Sequence, residues 1–364
     1  MSTGMKTENY ISYQLLQKKR TIRPIDKKAG EKVRRRWDSL AKPLDSLGKF
    51  EELTARMGAI LEDADFNWKR RAVLVMCADN GVVAEGISQC GQEVTLAVCK
   101  SMGQKKSSVG KMAEVNGTRV FPIDIGIASE EEIPGVENFK IAPGTRNFAT
   151  EPAMSEEEVY QAMDVGISLV KRCKDQGFSL VAMGEMGIGN TTTATAVAAS
   201  CLKLPAVQLV GKGAGLSDEG LQKKERVIQE AIDTYDLYEA TPFQILQTVG
   251  GLDLAGMVGI ILGGAYYHIP IVLDGILSVV AALVTYEMLP ETLDFLIPTH
   301  VSKEKVASRI LEKLGMEPVI RGDLALGEGT GAVMFFSLLD TAMALYEDGT
   351  SFEKMQVETY QRFE

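Results

Sequence analysis

The sequence predicts an α/β protein with a doubly wound, mainly parallel, Rossmann-like sheet and a small helical domain built from both termini. Short apolar runs recur along the chain, and amphipathic helical stretches separate them. This alternation is typical of a parallel sheet covered by helices on both faces. Several of the runs end in an aspartate or a glycine-rich turn, as strands of open sheets do beside a ligand.

Six apolar runs are the predicted strands: residues 72–77, 120–125, 180–183, 207–210, 269–273 and 295–298. The turns that follow four of them carry polar residues: residues 78–81, 123–126, 184–187 and 273–275. Ligands of open α/β sheets bind at the carboxyl ends of the strands. We therefore expect the chemistry to lie in these turns.

The two ends of the chain are predicted to be helical. Residues 30–61 form helices interrupted at Pro43, and residues 333–346 form a second apolar helix after the last glycine-rich loop. These helices can pack together. The predicted organisation is a large catalytic domain over residues 67–330 and a small helical domain made of residues 24–66 plus 331–364.

Charge and cysteine content exclude several classes of protein. The chain has 364 residues, and its 39 basic and 49 acidic residues give a net charge of −10. This balance argues against a protein that binds nucleic acid or an anionic membrane. Five cysteines without a C-x-x-C pair indicate reduced thiols and no structural zinc. Residues 1–20 lack a secretion signal, so a cytoplasmic protein is expected.

One segment is long and uncharged enough to require a membrane test. Residues 254–273 contain no Asp, Glu, Lys or Arg. Several glycines and Pro270 favour a different interpretation, in which a helix ends near Gly264 and a buried strand follows at residues 269–273. We expect no membrane span.

The glycine-rich segment 184–193 lies between a predicted strand and an alanine-rich helix at residues 194–201. Backbone amides at such a helix start can bind phosphate. The spacing is similar to that of a P-loop, but Asn190 replaces the lysine, which argues against an ATPase. The alternative is that these glycines only make a tight turn between strand and helix.

Two further glycine-rich loops follow. Residues 211–215 precede a helix that carries Lys223 and Lys224, and a lysine there can reach a phosphate at the first loop. The alternative is a solvated helix face. The last loop, residues 326–331, places Glu328 between two glycines, where it is either a helix cap or a general base.

Motifs that the sequence lacks narrow the chemistry. The only histidines are His268 and His300, and there is no G-x-S-x-G, so a serine hydrolase is improbable. No metal-ligand motif and no dinucleotide fingerprint are found. The residues therefore predict an acid-base enzyme or a binding protein for a phosphorylated small molecule, with no metal and no cofactor.

Seven motifs occur in order over nearly the whole chain: residues 40–48, 78–86, 144–154, 184–193, 215–221, 272–275 and 326–331. Together they resemble the family of nicotinate-nucleotide–dimethylbenzimidazole phosphoribosyltransferases, which make the α-ribotide for the lower ligand of cobamides. The resemblance implies transfer of phosphoribose from nicotinate mononucleotide to 5,6-dimethylbenzimidazole or a related base. It also implies a dimer whose partner closes each active site.

The resemblance assigns roles to individual residues. It implies that Glu328 is the catalytic base and that Glu185 lies beside the reacting ribose. Ser88 and Gln92 would line the pocket of the aromatic base. The residues expected to hold the nucleotide and its phosphate are Gly187, Gly189, Asn190, Thr191, Lys224, Asp274, Ser302, Gly327 and Gly329.

The chain departs from the family pattern mainly on the acceptor side. Asn80 stands where the family commonly has histidine, Gly91 where it has proline and Ala214 where it tends to have threonine, and residues 104–108 replace a stretch of small residues. Two alternatives follow. The chain could be a subunit of the enzyme branch that accepts phenol or p-cresol, or a non-catalytic partner of an active paralogue in a heterodimer. The retained Glu185 and Glu328 argue against the second.

Overall fold

The main sheet forms where the apolar runs pair side by side. The structure, a computed structural model, describes residues 6–211, 213 and 215–362. Within these residues the sheet has six strands: β1 (Arg71–Ala78), β2 (Arg119–Gly126), β3 (Glu137–Asn138), β4 (Leu180–Met186), β5 (Ile271–Val272) and β6 (Leu296–Ile297). All pairings are parallel, in the order β3-β2-β1-β4-β5-β6. The predicted fold class is confirmed.

Helices connect the strands and cover both faces of the sheet. In the described residues they are α1 (Ile11–Leu16), α2 (Lys27–Ser39), α3 (Lys49–Leu61), α4 (Glu93–Gly103), α5 (Ser108–Asn116), α6 (Glu156–Asp175), α7 (Asn190–Leu202), α8 (Asp218–Thr234), α9 (Pro242–Val249), α10 (Leu252–Tyr267), α11 (Ile276–Met288), α12 (Lys305–Lys313), α13 (Thr330–Asp348) and α14 (Phe352–Met355). A small parallel sheet pairs β7 (His300–Ser302) with β8 (Ile320–Leu324).

Strand β1 explains why both faces must be covered. All eight of its residues are buried, and successive side chains point to opposite faces. Leu74 and Met76 belong to the apolar cluster under α6, α7, α10 and α11. Val73 and Val75 belong to the cluster under α2, α3 and α13. Burial on both sides is the usual state of a central parallel strand.

The strand order places a ligand-binding edge beside β1 and β4. The chain runs outward from β1 to β2 and β3, then returns to β4 on the other side and continues to β5 and β6. The order therefore reverses between β1 and β4, and ligands of such sheets bind beyond the carboxyl ends of the strands at this reversal.

One predicted strand is wrong. Residues 206–208 form a 3₁₀ helix after Pro205, and Val207 is 60% exposed, so the apolar run 207–210 does not enter the sheet. The predicted end of the Gly-rich helix is also too early, because α10 continues beyond Gly264 to Tyr267. Within the described residues, no helix has the length and apolar character needed to cross a membrane.

Helices from the two ends of the chain pack against each other. Trp37 of α2 packs with Tyr346 of α13 at a ring distance of 4.8 Å. The same apolar cluster contains Val75 of the main sheet, so these helices also cover one sheet face. The predicted boundaries of a separate helical domain remain a prediction.

Helices α6 and α10 pack unusually closely because glycines face the contact. A Cβ on Gly259 would lie 2.0 Å from the carbonyl oxygen of Met163, and one on Gly166 would lie 2.2 Å from that of Gly256. Backbone atoms cannot move aside as a flexible side chain can. The close packing of the two helices therefore requires glycine at these positions.

We expect Gly259→Ala to lower the free energy of unfolding by about 1–3 kcal/mol, the usual cost of overpacking a core. The matched control is Gly220→Ala in α8, where the nearest atom is the side-chain Cδ2 of Leu216 at 3.0 Å. That control should be neutral or slightly stabilising, because alanine favours helix. Urea unfolding measures both, and equal stability of Gly259→Ala and wild type would contradict the prediction.

Candidate active site

Two adjoining cavities open at the carboxyl ends of the main strands, and we call them together the cleft. The larger has a volume of about 240 Å³ and the smaller about 80 Å³. Five residues line both: Gly187, Ile188, Asn190, Thr191 and Gly213. The cleft therefore lies where the reversal of strand order places a binding site.

Most of the predicted site residues line this cleft. Those in the larger cavity are Glu185, Gly187, Asn190, Thr191, Asp274, Ser302, Gly327 and Glu328. Those that line the smaller cavity are Ser88, Gly187, Gly189, Asn190, Thr191 and Lys224. Gly329 lines neither cavity and is the N-cap of α13. Gln92 lines neither cavity, and its Nε2 donates to the carbonyl oxygen of Asn80 at 3.4 Å.

The glycines after β4 are required by the backbone itself. A Cβ on Gly187 would lie 2.3 Å from the carbonyl oxygen of Ala78, so only glycine lets the ends of β1 and β4 approach. Gly189 caps α7 with φ of 91°, a conformation that glycine adopts without strain. The tight-turn alternative thus explains both glycines without a ligand. Phosphate binding by this loop remains a prediction.

Lys224 is the buried cation of the cleft. It is 1% exposed, and its Nζ donates to Thr191 Oγ1 at 3.0 Å and to the carbonyl oxygen of Gly211 at 3.4 Å. Burial lowers the pKa of Lys224 to about 8. The preceding Lys223 is exposed. The solvated-face interpretation therefore holds for Lys223 and fails for Lys224.

Glu328 is held in an unusual backbone conformation. Gly327, Glu328 and Gly329 all have positive φ, of 85°, 60° and 88°. Such a conformation is rare for a residue with a side chain and concentrates at functional sites. Glu328 Oε2 accepts a hydrogen bond from the backbone N of Val109 at 3.0 Å, in the first turn of α5. The positive end of that helix dipole stabilises a carboxylate.

Asp274 supports the same loop from the end of β5. Its Oδ2 accepts from the backbone N of Gly329 at 3.2 Å, and its Oδ1 accepts from the backbone N of Ala332 at 3.1 Å. These amides begin α13 and would otherwise lack partners. Burial raises the pKa of Asp274 to about 6, although the hydrogen bonds oppose the shift.

Glu185 faces Glu328 from the end of β4. Burial raises the pKa of Glu185 to about 8, and the carboxylate of Asp253 adds to the effect. The charges of Asp274 and Glu328 act in the same direction. The side-chain amide of Asn190 donates to Glu185 Oε2. At neutral pH Glu185 is therefore mostly protonated and can donate a hydrogen bond.

Asp253 lines neither cavity but acts on Glu185, and the sequence analysis missed it. It lies fully buried at the start of α10, and burial raises its pKa to about 6. Its Oδ2 has no hydrogen-bond partner within the described residues. In the sequence, the indication for Asp253 was a charged residue at the start of an otherwise apolar helix.

His300 and an apolar wall were also missed. His300 lies two residues before Ser302 on β7, so strand alternation places both on one face, and both line the larger cavity. The apolar side chains around the same cavity are Met186, Ile188, Ile276, Leu324 and Leu326. They offer a surface against which a flat aromatic ring can pack.

The structure shows where three of the four departures from the family pattern lie. Asn80 is buried below the cleft, and its side-chain amide has no hydrogen-bond partner in the described part of the chain. Gly91 lies just before α4, outside the lining of both cavities. Residues 104–108 lead into α5, where Ser107 accepts from Gly110 N and caps the helix that binds Glu328. Ala214 lies outside the described residues.

The cleft brings together Glu328, a Glu185 that is mostly protonated at neutral pH, and the buried Lys224. The phosphoribosyltransferase family model matches residues 22–357. The nicotinate-nucleotide–dimethylbenzimidazole phosphoribosyltransferase of Acetivibrio thermocellus is 38% identical over 347 residues, which are 95% of this chain and 99% of that relative. The enzyme of the same name from Clostridium perfringens is 38% identical over 327 residues, covering 90% and 91%.

The fold comparison agrees with the sequence comparison. The crystal structure of CobT from Thermus thermophilus superposes with a TM-score of 0.85 at 36% identity, and the match covers 92% of this chain and 100% of that one. Likeness of this extent in both sequence and fold leaves one assignment. The chain belongs to the nicotinate-nucleotide–dimethylbenzimidazole phosphoribosyltransferase family.

Proposed function

We propose that this chain transfers the phosphoribosyl group of nicotinate mononucleotide to 5,6-dimethylbenzimidazole or a related aromatic base, giving an α-ribotide and nicotinate. The observation that carries the proposal is the meeting of Glu328, Glu185 and Lys224 in one cleft. A base, a neutral acid and a phosphate-binding cation are the groups that this reaction needs. The relatives that share the family carry the name of the same activity.

The smaller cavity suits the phosphate of the donor. Lys224 and Thr191 hold polar groups at its wall, and the loop at Gly187–Gly189 directs the start of α7 toward it. A phosphate there gains a charge-assisted hydrogen bond from the ammonium together with the positive end of the helix dipole. The reacting sugar then extends into the larger cavity.

Glu328 is positioned to take the proton of the acceptor. Its Oε2 is fixed by Val109 N, and its Oε1 has no hydrogen-bond partner in the described part of the chain. One ring nitrogen of a benzimidazole attacks C1′ while the other loses its proton to the carboxylate. Holding both partners in line supplies the orientation that the reaction requires.

The donor itself supplies the driving force for departure of its base. Its pyridinium ring is cationic and leaves as neutral nicotinate when the C1′–N bond breaks. Attack from the opposite face converts the β-linked donor into an α-linked product. The protein therefore needs chiefly to bind, orient and accept one proton.

Glu185 has a different role from Glu328 in this proposal. With its pKa raised to about 8, Glu185 is a poor proton acceptor at neutral pH. A neutral carboxylic acid instead donates a hydrogen bond to an oxygen of the ribose. The two glutamates thus divide into a base and a donor because their surroundings differ.

We also propose that the chain acts as a dimer in the cytoplasm. Met334, Leu338 and Leu345 are 42%, 44% and 38% exposed and share one face of α13, the helix that begins beside Glu328. Leu326, which lines the cleft, is 55% exposed. A second copy covering this apolar face would also cover the mouth of the cleft.

The purified chain alone, supplied with nicotinate mononucleotide, tests the proposed function. The acceptors are 5,6-dimethylbenzimidazole, benzimidazole, adenine, phenol and p-cresol, and chromatography measures nicotinate release and the α-ribotide. Turnover with a benzimidazole supports the proposal. Turnover only with phenols would place the chain in the phenol-accepting branch. Turnover that appears only after a paralogue is added would assign it to a heterodimer.

We expect Glu328→Gln to lower kcat by about 10²–10⁴, the usual contribution of a positioned general base. Glu185→Gln is the matched control, because an amide can still donate the hydrogen bond that neutral Glu185 provides. At pH 7 that variant should keep kcat within about tenfold of wild type. Steady-state kinetics measure both variants. A larger loss of kcat in Glu185→Gln than in Glu328→Gln would make Glu185 the base and Glu328 the hydrogen-bond donor.

We expect Lys224→Ala to raise KM for nicotinate mononucleotide by about 10- to 100-fold with a smaller change in kcat, because a charge-assisted hydrogen bond is lost. Lys223→Ala, which removes the exposed neighbour, is the control and should leave KM unchanged.

The wild-type kcat/KM should fall as pH rises through about 8, since Lys224 loses its proton there, and this pH dependence should weaken in Lys224→Ala. If wild type binds nicotinate mononucleotide and the dephosphorylated riboside equally tightly, the proposed contact between Lys224 and the phosphate is wrong.

A further inference from the structure

His300 is a buried histidine at the cleft for which the proposed reaction has no role so far. It lies on β7, is 4% exposed and lines the larger cavity. The first turn of α13 packs against one side of its ring, since a Cβ on Gly331 would lie 2.2 Å from Cε1 and 2.3 Å from Nδ1. The ring is thus fixed between the small sheet and the helix that follows Glu328.

The hydrogen bonds around His300 determine which nitrogen carries the proton. The Thr299 hydroxyl donates its one hydrogen to the carbonyl oxygen of Leu273 at 2.8 Å. The contact of 3.1 Å between Thr299 Oγ1 and His300 Nδ1 therefore requires Nδ1 to be the donor. Nε2 is left with a lone pair, which can only accept a hydrogen bond.

The lone pair on Nε2 faces the cleft. Nε2 has no hydrogen-bond partner within residues 6–211, 213 and 215–362. It lies on the side of the ring toward Gly275, at 3.8 Å from the position of a Cβ there, and Gly275 lines the larger cavity. Burial lowers the pKa of His300 to about 4, so the ring stays neutral at pH 7.

We propose that His300 Nε2 accepts a hydrogen bond from a hydroxyl group of the donor's ribose and so selects ribose over deoxyribose. This inference rests on the proposed function. A neutral acceptor repels phosphate oxygens and binds an O–H group instead. Ribose connects the phosphate to the reacting carbon, and His300 lines the larger cavity, where the proposed function places the sugar, together with Gly327 and Glu328.

Two substitutions separate the two ring nitrogens. His300→Asn keeps an amide N–H near the Nδ1 position for Thr299 but removes the acceptor at Nε2. His300→Gln places an amide oxygen near the Nε2 position and is the matched control. Nicotinate mononucleotide and its 2′-deoxy and 3′-deoxy forms are the three donors, and kcat/KM is measured with one acceptor. Thermal unfolding checks that each variant is folded.

We expect wild type to prefer the ribonucleotide over one of the deoxy donors by about tenfold or more, since a buried acceptor left unpaired is costly. His300→Asn should lose that preference, and His300→Gln should restore part of it. In the wild-type protein, ¹⁵N NMR should show the His300 Nε2 resonance shifting with the ribonucleotide but not with the disfavoured deoxy form. Because this measurement uses only the wild-type protein, it tests the proposal even if a variant does not fold.

The results distinguish this inference from the proposed function. If wild type uses all three donors equally, or if His300→Asn keeps the full preference, His300 does not bind the ribose although the enzyme transfers it. If wild type does not turn over nicotinate mononucleotide with any acceptor, the proposed function fails and the inference fails with it.

Discussion

The carboxylate of Asp274 is the contact on which the geometry of the cleft depends. It joins the end of β5 to the first turn of α13 by accepting from Gly329 N and Ala332 N. That contact fixes a loop of three consecutive left-handed residues, and the loop in turn directs Glu328 to the start of α5. A strand, two helices and the proposed base are thereby held in one arrangement. An aspartate is suited to this position because each of its two carboxylate oxygens accepts one of the two hydrogen bonds.

Burying several acids around one cleft carries a cost in stability. The pKa values of Asp253 and Asp274 are raised from 3.8 to about 6, and that of Glu185 from 4.5 to about 8. The native state therefore binds protons that the unfolded chain releases. The contribution of the two aspartates to the free energy of unfolding falls as pH rises from about 4 to about 6. The contribution of Glu185 falls as pH rises from about 4.5 to about 8. The proposed function gives a reason for this cost, because it assigns a hydrogen-bond donor to Glu185 and a base to Glu328.

Much of this arrangement could be predicted from the sequence, and the failures have physical reasons. Parallel strands share one carboxyl edge, so the turns at Glu185 and Asp274 had to meet once the runs were recognised as strands. The run at 207–210 was misassigned because a short apolar run alone does not distinguish a strand from a 3₁₀ turn. Periodicity also gives no information on Gln92, which lines neither cavity and donates to the carbonyl oxygen of Asn80.

The protonation state of Glu185 was beyond any local sequence pattern, because it depends on acids that are distant in the chain. Asp253 and Asp274 come from other elements and meet Glu185 only in the folded protein. The burial of Lys224 has the same origin, since the adjacent Lys223 is chemically identical and exposed. Residue types predict which chemistry is possible. Tertiary packing decides which residue performs it.

The contact between Glu328 and Val109 also bears on how the protein is made. The two residues are 219 positions apart, so the hydrogen bond closes a very long loop. A ribosome synthesises the chain from its amino end at about 5–20 residues per second, and early segments can fold first. A nascent chain that ends before α13 can contain the strands of the main sheet and the glycine-rich loop at residues 184–193, but it lacks the first turn of α13 that Asp274 holds. The cleft can therefore be completed only in the last stage of synthesis.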